Sequence, residues 1–355
     1  MNMRKLFILL FFYITFATCT FGAKTCLAEN NYYYTTNVEH LFTHFLIAYP
    51  DIAFAKDNNM KKHYDADCIT SAEFLNILKS LHKKGYALVS IYDCFETDTN
   101  GNSIKKKIKV PVGKKPLILS FDDVNYDQKK LGKGMVDKII IDSEGNIAAS
   151  TTFGKHTDIS YNKEFICILE SFINKNPDFS INGARGTINL TGYDGILGYR
   201  TNHSNTKNKE EEIKNAKLVV NKLKNLGWTF ASHSYGHYHM KKITLDKFQQ
   251  ELDLWKNEVE PIVGETSIYV YPYGEWEVFN HGDLCEKHKL LVNYGFNLFC
   301  GVGMKTFYSY LPNKNGHKVL FMDRKCIDGT TLRANSHELY NFFNPVQILD
   351  KYRLK

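Results

Sequence analysis

The chain has no C-x-x-C pair, no internal repeat and no low-complexity tract. It has no apolar stretch of the roughly 20 residues that a membrane-spanning helix needs. Each absence excludes something. Eight cysteines stand at positions 19, 26, 68, 94, 167, 285, 300 and 326, too far apart for a thiolate zinc site and too few and scattered to be the framework of the fold. They read as small buried apolar side chains. No zinc finger, recognition helix or base-stacking motif accompanies the lysines, so nucleic acid is not an expected partner. Collagen-like, mucin-like and coiled-coil biases are missing as well. What remains is ordinary globular composition, 43% hydrophobic and 23% charged over 355 residues, which suffices for one large domain or two smaller ones. The formal charge of +7 is spread over solvated runs such as Lys105–Lys109, and gives weak support for an anionic polymer as partner. The 22 Tyr and 24 Phe suit sugar-binding surfaces and equally suit a compositional bias.

The amino terminus carries an address. Arg4 and Lys5 precede the apolar run Leu6–Ala17, and small residues follow as far as Ala28. A basic start, a short apolar stretch and a small-residue exit describe a secretory signal. Residues 1–28 are therefore expected to be a signal peptide or an N-terminal anchor, residues 29–39 a polar linker, and residues 40–355 the working domain. The protein is expected to be secreted or associated with the cell surface or wall.

From His40 onward, apolar runs alternate with amphipathic patterns. Strands are predicted at Leu41–Ile47, Tyr86–Ser90, Leu117–Phe121, Gly186–Leu190, Thr229–Ala231, Ile268–Tyr271, Asn297–Gly301 and Val319–Met322. Helices are predicted at Ser71–Lys84, Asn162–Lys175, Glu210–Leu226, Leu245–Glu260 and Gly282–Tyr294. In Glu210–Leu226 the apolar residues Ile213, Ala216, Val220 and Leu223 fall at steps of three and four, which makes one buried face. Gly85, Gly227 and Gly295 stand at helix stops. Such alternation predicts parallel strands joined by helices. The fold class is α/β, a distorted (β/α)7-8 barrel, with Val136–Ser150 read as an inserted hairpin turning at Ser143-Glu144-Gly145-Asn146.

In a barrel of this kind chemistry sits at the carboxyl ends of the strands, and three clusters fall there. Leu117–Phe121 runs into Asp122-Asp123. One carboxylate can bind a cation while the other handles protons, although Asp is also common in surface turns. Phe230–Ser232 runs into His233-Ser234-Tyr235-Gly236-His237, and two imidazoles at this spacing can reach one ion. Asp123, His233 and His237 supply the three ligands that a catalytic site wants, with a fourth position open for water. Tyr269–Tyr271 runs into Pro272-Tyr273-Gly274, a turn whose amide can face a developing oxyanion.

Together and in this order, Phe121-Asp122-Asp123, His233-Ser234-Tyr235-Gly236-His237 and Pro272-Tyr273 resemble the polysaccharide deacetylases, the NodB homology domain or carbohydrate esterase family 4. Leu190-Thr191-Gly192-Tyr193 and Leu197-Gly198-Tyr199-Arg200-Thr201 are similar to a clostridial-type branch. The resemblance implies a metal-dependent N-deacetylase acting on an N-acetylated polysaccharide. Asp122 is then the general base, Asp123, His233 and His237 the metal ligands, and the Tyr273 amide an oxyanion donor. The ion is zinc, with cobalt or nickel as alternatives. The substrate expected first is peptidoglycan N-acetylglucosamine or N-acetylmuramic acid, with chitin-type oligomers and an exopolysaccharide next. A catalytically inactive carbohydrate-binding protein and an O-acetyl esterase or other amide hydrolase are the rival readings.

Two positions depart from the family pattern. The usual Arg two residues before Pro-Tyr is Val270 here, and Arg324, at the end of another predicted strand, is the candidate replacement from across the barrel; its alternative is a surface ion pair with Asp323. The usual late Leu-x-His string is missing. His337 is the nearest substitute for the general acid, His317 is another, and His44 on the first strand is a further pocket residue.

Overall fold

The structure, a computed structural model, describes residues 31–100, 102–277, 279–280, 283–303, 308–312 and 318–353. The leader and His317 lie outside the described residues. Seven parallel strands close into a barrel: β1 (Glu39–His44), β2 (Lys115–Asp122), β3 (Thr187–Leu190), β4 (Thr229–Ser232), β5 (Ile268–Val270), β6 (Leu298–Val302) and β7 (Lys318–Cys326). Closure depends on the length of β2. It pairs with β1 along one edge; along the other it pairs with the short strand Tyr86–Leu88 at its start and with β3 at Ser120 and Phe121.

Alternation along β2 sorts the core into two layers. Leu117, Leu119 and Phe121 point outward into the packing between barrel and helices, where the Phe121 ring stacks on Phe165 at 3.8 Å. Ile118 points inward among Ala231, Val270, Cys300 and Met322, and Ser120 and Asp122 share its side. The same parity therefore delivers Asp122 to the barrel interior, at its carboxyl rim.

The outer helices are α1 (Ser71–Lys83), α2 (Phe165–Lys175), α3 (Lys209–Leu226), α4 (Leu245–Leu254) and α5 (Glu286–Asn293). Thr70 and Glu73 form a capping box at the start of α1. Gly227 ends α3 at φ 101°, where a Cβ would lie 2.1 Å from the Gly183 carbonyl oxygen. The expected helix Leu245–Glu260 is interrupted: α4 passes into a π-helical turn, Trp255–Val259, and then a short helix, Glu260–Val263.

Two expectations are extended. The expected hairpin in Val136–Ser150 is present, Lys138–Ile141 pairing antiparallel with Ile147–Phe153, and a third strand, His156–Ser160, makes it a three-stranded antiparallel sheet. The third strand is mostly solvated and lacks apolar alternation, so its sequence carries no strand signal. The expected linker is also partly structured. Asn31–Tyr34 pairs with Ile108–Pro111, and the Tyr32 hydroxyl donates to the Lys114 carbonyl. The four cysteines at 68, 94, 167 and 300 are buried and unbridged. No helix among the described residues is long and apolar enough to cross a membrane.

Candidate active site

All three strand-end clusters meet in one cavity of about 580 Å³ at the carboxyl mouth of the barrel. A larger cavity, about 1320 Å³, lies between α1 and α2 and contains none of these groups, so size alone does not locate the chemistry.

Backbone conformation does much of the positioning. Asp123, Ser234, His237 and Tyr273 are non-glycine residues with φ of 60°, 58°, 54° and 59°. The left-handed region costs such residues free energy, and its concentration here marks a site where geometry is imposed by the surroundings. At Asp123 it turns the chain just past β2, so that adjacent carboxylates enter the same cavity. At Ser234 and His237 it coils the segment after β4, and the Ser234 hydroxyl accepts from the His237 amide at 3.0 Å.

Asp123 Oδ1 lies 3.9 Å from His233 Nε2 and 3.7 Å from His237 Nε2, and the three ligand atoms all fall within 4.8 Å of one another. Tetrahedral bonds of about 2.1 Å separate ligand atoms by about 3.4 Å, so one ion fits this spacing with little adjustment. Asp123 Oδ1 is buried and receives no hydrogen bond, an expensive state for a carboxylate oxygen that a cation relieves. His233 Nδ1 donates to the Val270 carbonyl at 3.0 Å, which leaves the Nε2 lone pair facing Asp123. Burial pushes the His237 imidazole down to about 4, which favours a neutral nitrogen there. The donor set fits a divalent metal.

Asp122 is held differently. Arg324, fully buried, grips it with two nearly parallel bonds, Nη1 to Oδ1 at 2.7 Å and Nη2 to Oδ2 at 3.0 Å. Asn189 Nδ2 donates to Oδ1 at 2.6 Å, and Oδ2 faces His233 Nε2 at 3.7 Å. Burial works to raise the Asp122 carboxyl, but the Arg324 guanidinium holds it well below the usual carboxylate range. Beneath this pair, Arg324 also donates to Ser120 Oγ, which contacts His40 Nε2 at 2.9 Å. Burial and then Arg324 keep that imidazole neutral. Arg324 is therefore not a surface partner of Asp323; it reaches across the barrel to Asp122.

The structure places His337 elsewhere. It is exposed on a 3-10 turn, His337–Leu339, with its ring on Tyr340. The Tyr340 carbonyl accepts from Lys84, at the foot of the strand Tyr86–Leu88, so His337 is corrected: it does not reach the mouth of the barrel. His44, at the end of β1, does line the cavity, and its Nδ1 is buried without a partner. Tyr273 and buried Pro272 form the turn after β5, with the Tyr273 ring stacked on His239 at 3.9 Å. Sequence reading missed Asn189, Ser120 and His40. Their signal was a polar residue in the inward register of an apolar strand.

The family profile described as Polysaccharide deacetylase matches residues 200–281, which hold His233, His237, Pro272 and Tyr273. That segment, less than a quarter of the chain, is similar to the polysaccharide deacetylases. Solved structures similar to this chain include a Streptococcus pyogenes deacetylase in complex with acetate, at 14% identity over 84% of this chain and 95% of that one, with a TM-score of 0.45. A polysaccharide deacetylase from Bacillus cereus is 15% identical over 83% of this chain, which spans 66% of that one, with a TM-score of 0.46. A deacetylase domain from Bordetella bronchiseptica is 12% identical over 83% of this chain and 98% of that one, with a TM-score of 0.40. No curated protein sequence matches the chain.

Proposed function

We propose that the protein is an exported, metal-dependent deacetylase that hydrolyses the N-acetyl groups of a cell-wall or extracellular polysaccharide, peptidoglycan amino sugars being the favoured substrate. The observation that carries this reading is the convergence of Asp123, His233 and His237 beside an Asp122 kept ionised by Arg324. The leader-like residues 1–28 support export and location at the cell surface or wall.

Asp123, His233 and His237 would hold the ion, zinc first and cobalt or nickel as alternatives; when bound it supplies Lewis acidity to a water and to the acetamide carbonyl. Asp122 accepts the proton of the attacking water as its oxygen bonds to the acetyl carbon. Arg324 acts through Asp122, fixing its orientation and its charge. The Tyr273 amide donates to the oxygen that gains negative charge. As the C–N bond breaks, His44 gives a proton to the departing amine, the role for which His337 is out of reach. Acetate and a free amino sugar result.

The test is acetate release from N-acetylated wall fragments and chito-oligomers, with mass spectrometry of the glycan and with chelator as control. The expected result is the loss of one or more acetyl groups, abolished by chelator and restored by zinc. Release from O-acetyl xylan alone would make the protein an esterase. Binding without release from any of these would make it a non-catalytic carbohydrate-binding protein.

A further inference from the structure

Among the described residues, three buried polar atoms of side chains that line the cavity lack a partner: Asp123 Oδ1, His44 Nδ1 and Asp127 Oδ1. The first two are absorbed by the metal and by proton delivery. Asp127 is not. It lies four residues beyond the metal ligand and is 6% exposed. Its other oxygen is 3.0 Å from Lys130 Nζ and accepts from the Tyr193 hydroxyl at 3.3 Å. A buried carboxylate oxygen without a donor is costly, and a donor from a ligand bound in the cavity that Asp127 lines would remove the cost.

The chemistry of the neighbours narrows the ligand. The Asp127–Lys130 pair brings no net charge, so it selects neither an anion nor a cation. It offers an acceptor beside a donor, the complement of hydroxyl groups, which are both. Tyr193 is anchored through its hydroxyl while the residue is 37% exposed at the rim, offering an aromatic ring of the kind that takes the C–H surface of a sugar ring. Its backbone is fixed as well: the Gly192 and Tyr193 amides both donate to the Tyr235 carbonyl, between the two histidine ligands. The subsite is thus rigidly tied to the metal centre.

We propose that Asp127, Lys130 and Tyr193 form a sugar-binding subsite beside the metal centre, which takes a neutral hexosamine ring of the glycan by its hydroxyls and its C–H face. The proposal rests on the deacetylase reading for the identity of the glycan. Calorimetry of the zinc-loaded protein with penta-N-acetylchitopentaose and with muramidase-released wall fragments tests it. Asp127→Asn and Tyr193→Ala should each weaken binding of the better probe tenfold or more, Tyr193→Phe less than Tyr193→Ala, and every variant should keep one zinc per chain. Unchanged affinity in Asp127→Asn and Tyr193→Ala overturns the subsite. So does zinc loss that accompanies the weakened binding, since the residues would then act through the metal. Failure of the wild type to bind either probe overturns it too, even if small acetyl esters are hydrolysed. Wild-type binding that depends on these residues, without acetate release, supports the subsite and sinks the deacetylase instead.

Discussion

Arg324 and Asp122 show how much one pair decides. Arg324 stands on β7 and Asp122 on β2, with β1 between them, so the contact spans three neighbouring strands of the barrel wall and depends on their register. The planar guanidinium matches both carboxylate oxygens, a geometry that an ammonium cannot copy. Arg324→Lys should therefore lower kcat by tenfold or more with zinc content unchanged, and Arg324→Ala should add a loss of about 3–5 kcal/mol in urea unfolding, because it leaves a buried carboxylate unpaired. Wild-type turnover in folded Arg324→Lys would remove Arg324 from the mechanism. Asp122→Asn should lower kcat by roughly 10²–10⁴, measured as acetate release per zinc-loaded chain. The partnership was legible only as a possibility: a strand-end Arg was visible, its target was not. His337 went wrong for the opposite reason: with the motif string missing, only its place near the carboxyl terminus pointed to it, and that says nothing about which end of the barrel a residue occupies.

Elements set these side chains in place. Gly192, just past β3, approaches Tyr235 so closely that a Cβ there would lie 2.3 Å from the ring. Gly192→Ala should displace the segment bearing both histidines and weaken zinc binding by tenfold or more, read by competition with a chromogenic chelator. Zinc affinity equal to wild type would show that this contact yields without moving the ligands. Glu164 has a different role: buried at the start of α2, it accepts from the Phe165 amide at 2.7 Å and from Leu46, just past β1, at 3.2 Å. Burial pushes its carboxyl up to about 8. The folded chain then holds a proton that the unfolded chain releases near 4.5, so stability is fully present below that pH and declines as pH rises toward 8. Urea midpoints should fall between pH 5 and pH 8, by the equivalent of a few kcal/mol, and Glu164→Gln should flatten the decline. Such elements were readable where an apolar period was strong, as in α3 and β2. The strand His156–Ser160 and the π-turn at Trp255 carry no such period and emerged only from packing.

At the scale of the whole molecule, sequence alone showed the barrel and the order of its motifs, because strand–helix alternation and strand-end chemistry are local patterns. It did not show the count of seven or the buried ladder from His40 to Asp122, which depend on closure and on register between distant strands. Zinc bound to the folded chain alone should stabilise it by about 2.7 kcal/mol at free metal one hundredfold above Kd. Chelation should lower the Tm accordingly, and an unchanged Tm would argue against occupancy. The left-handed residues at the rim have one more consequence. Glycine or asparagine would adopt those backbone angles more cheaply than tyrosine or histidine do. A library selected only for heat resistance would therefore drift toward glycine around the mouth, and its hardiest survivors would be barrels that no longer turn over anything.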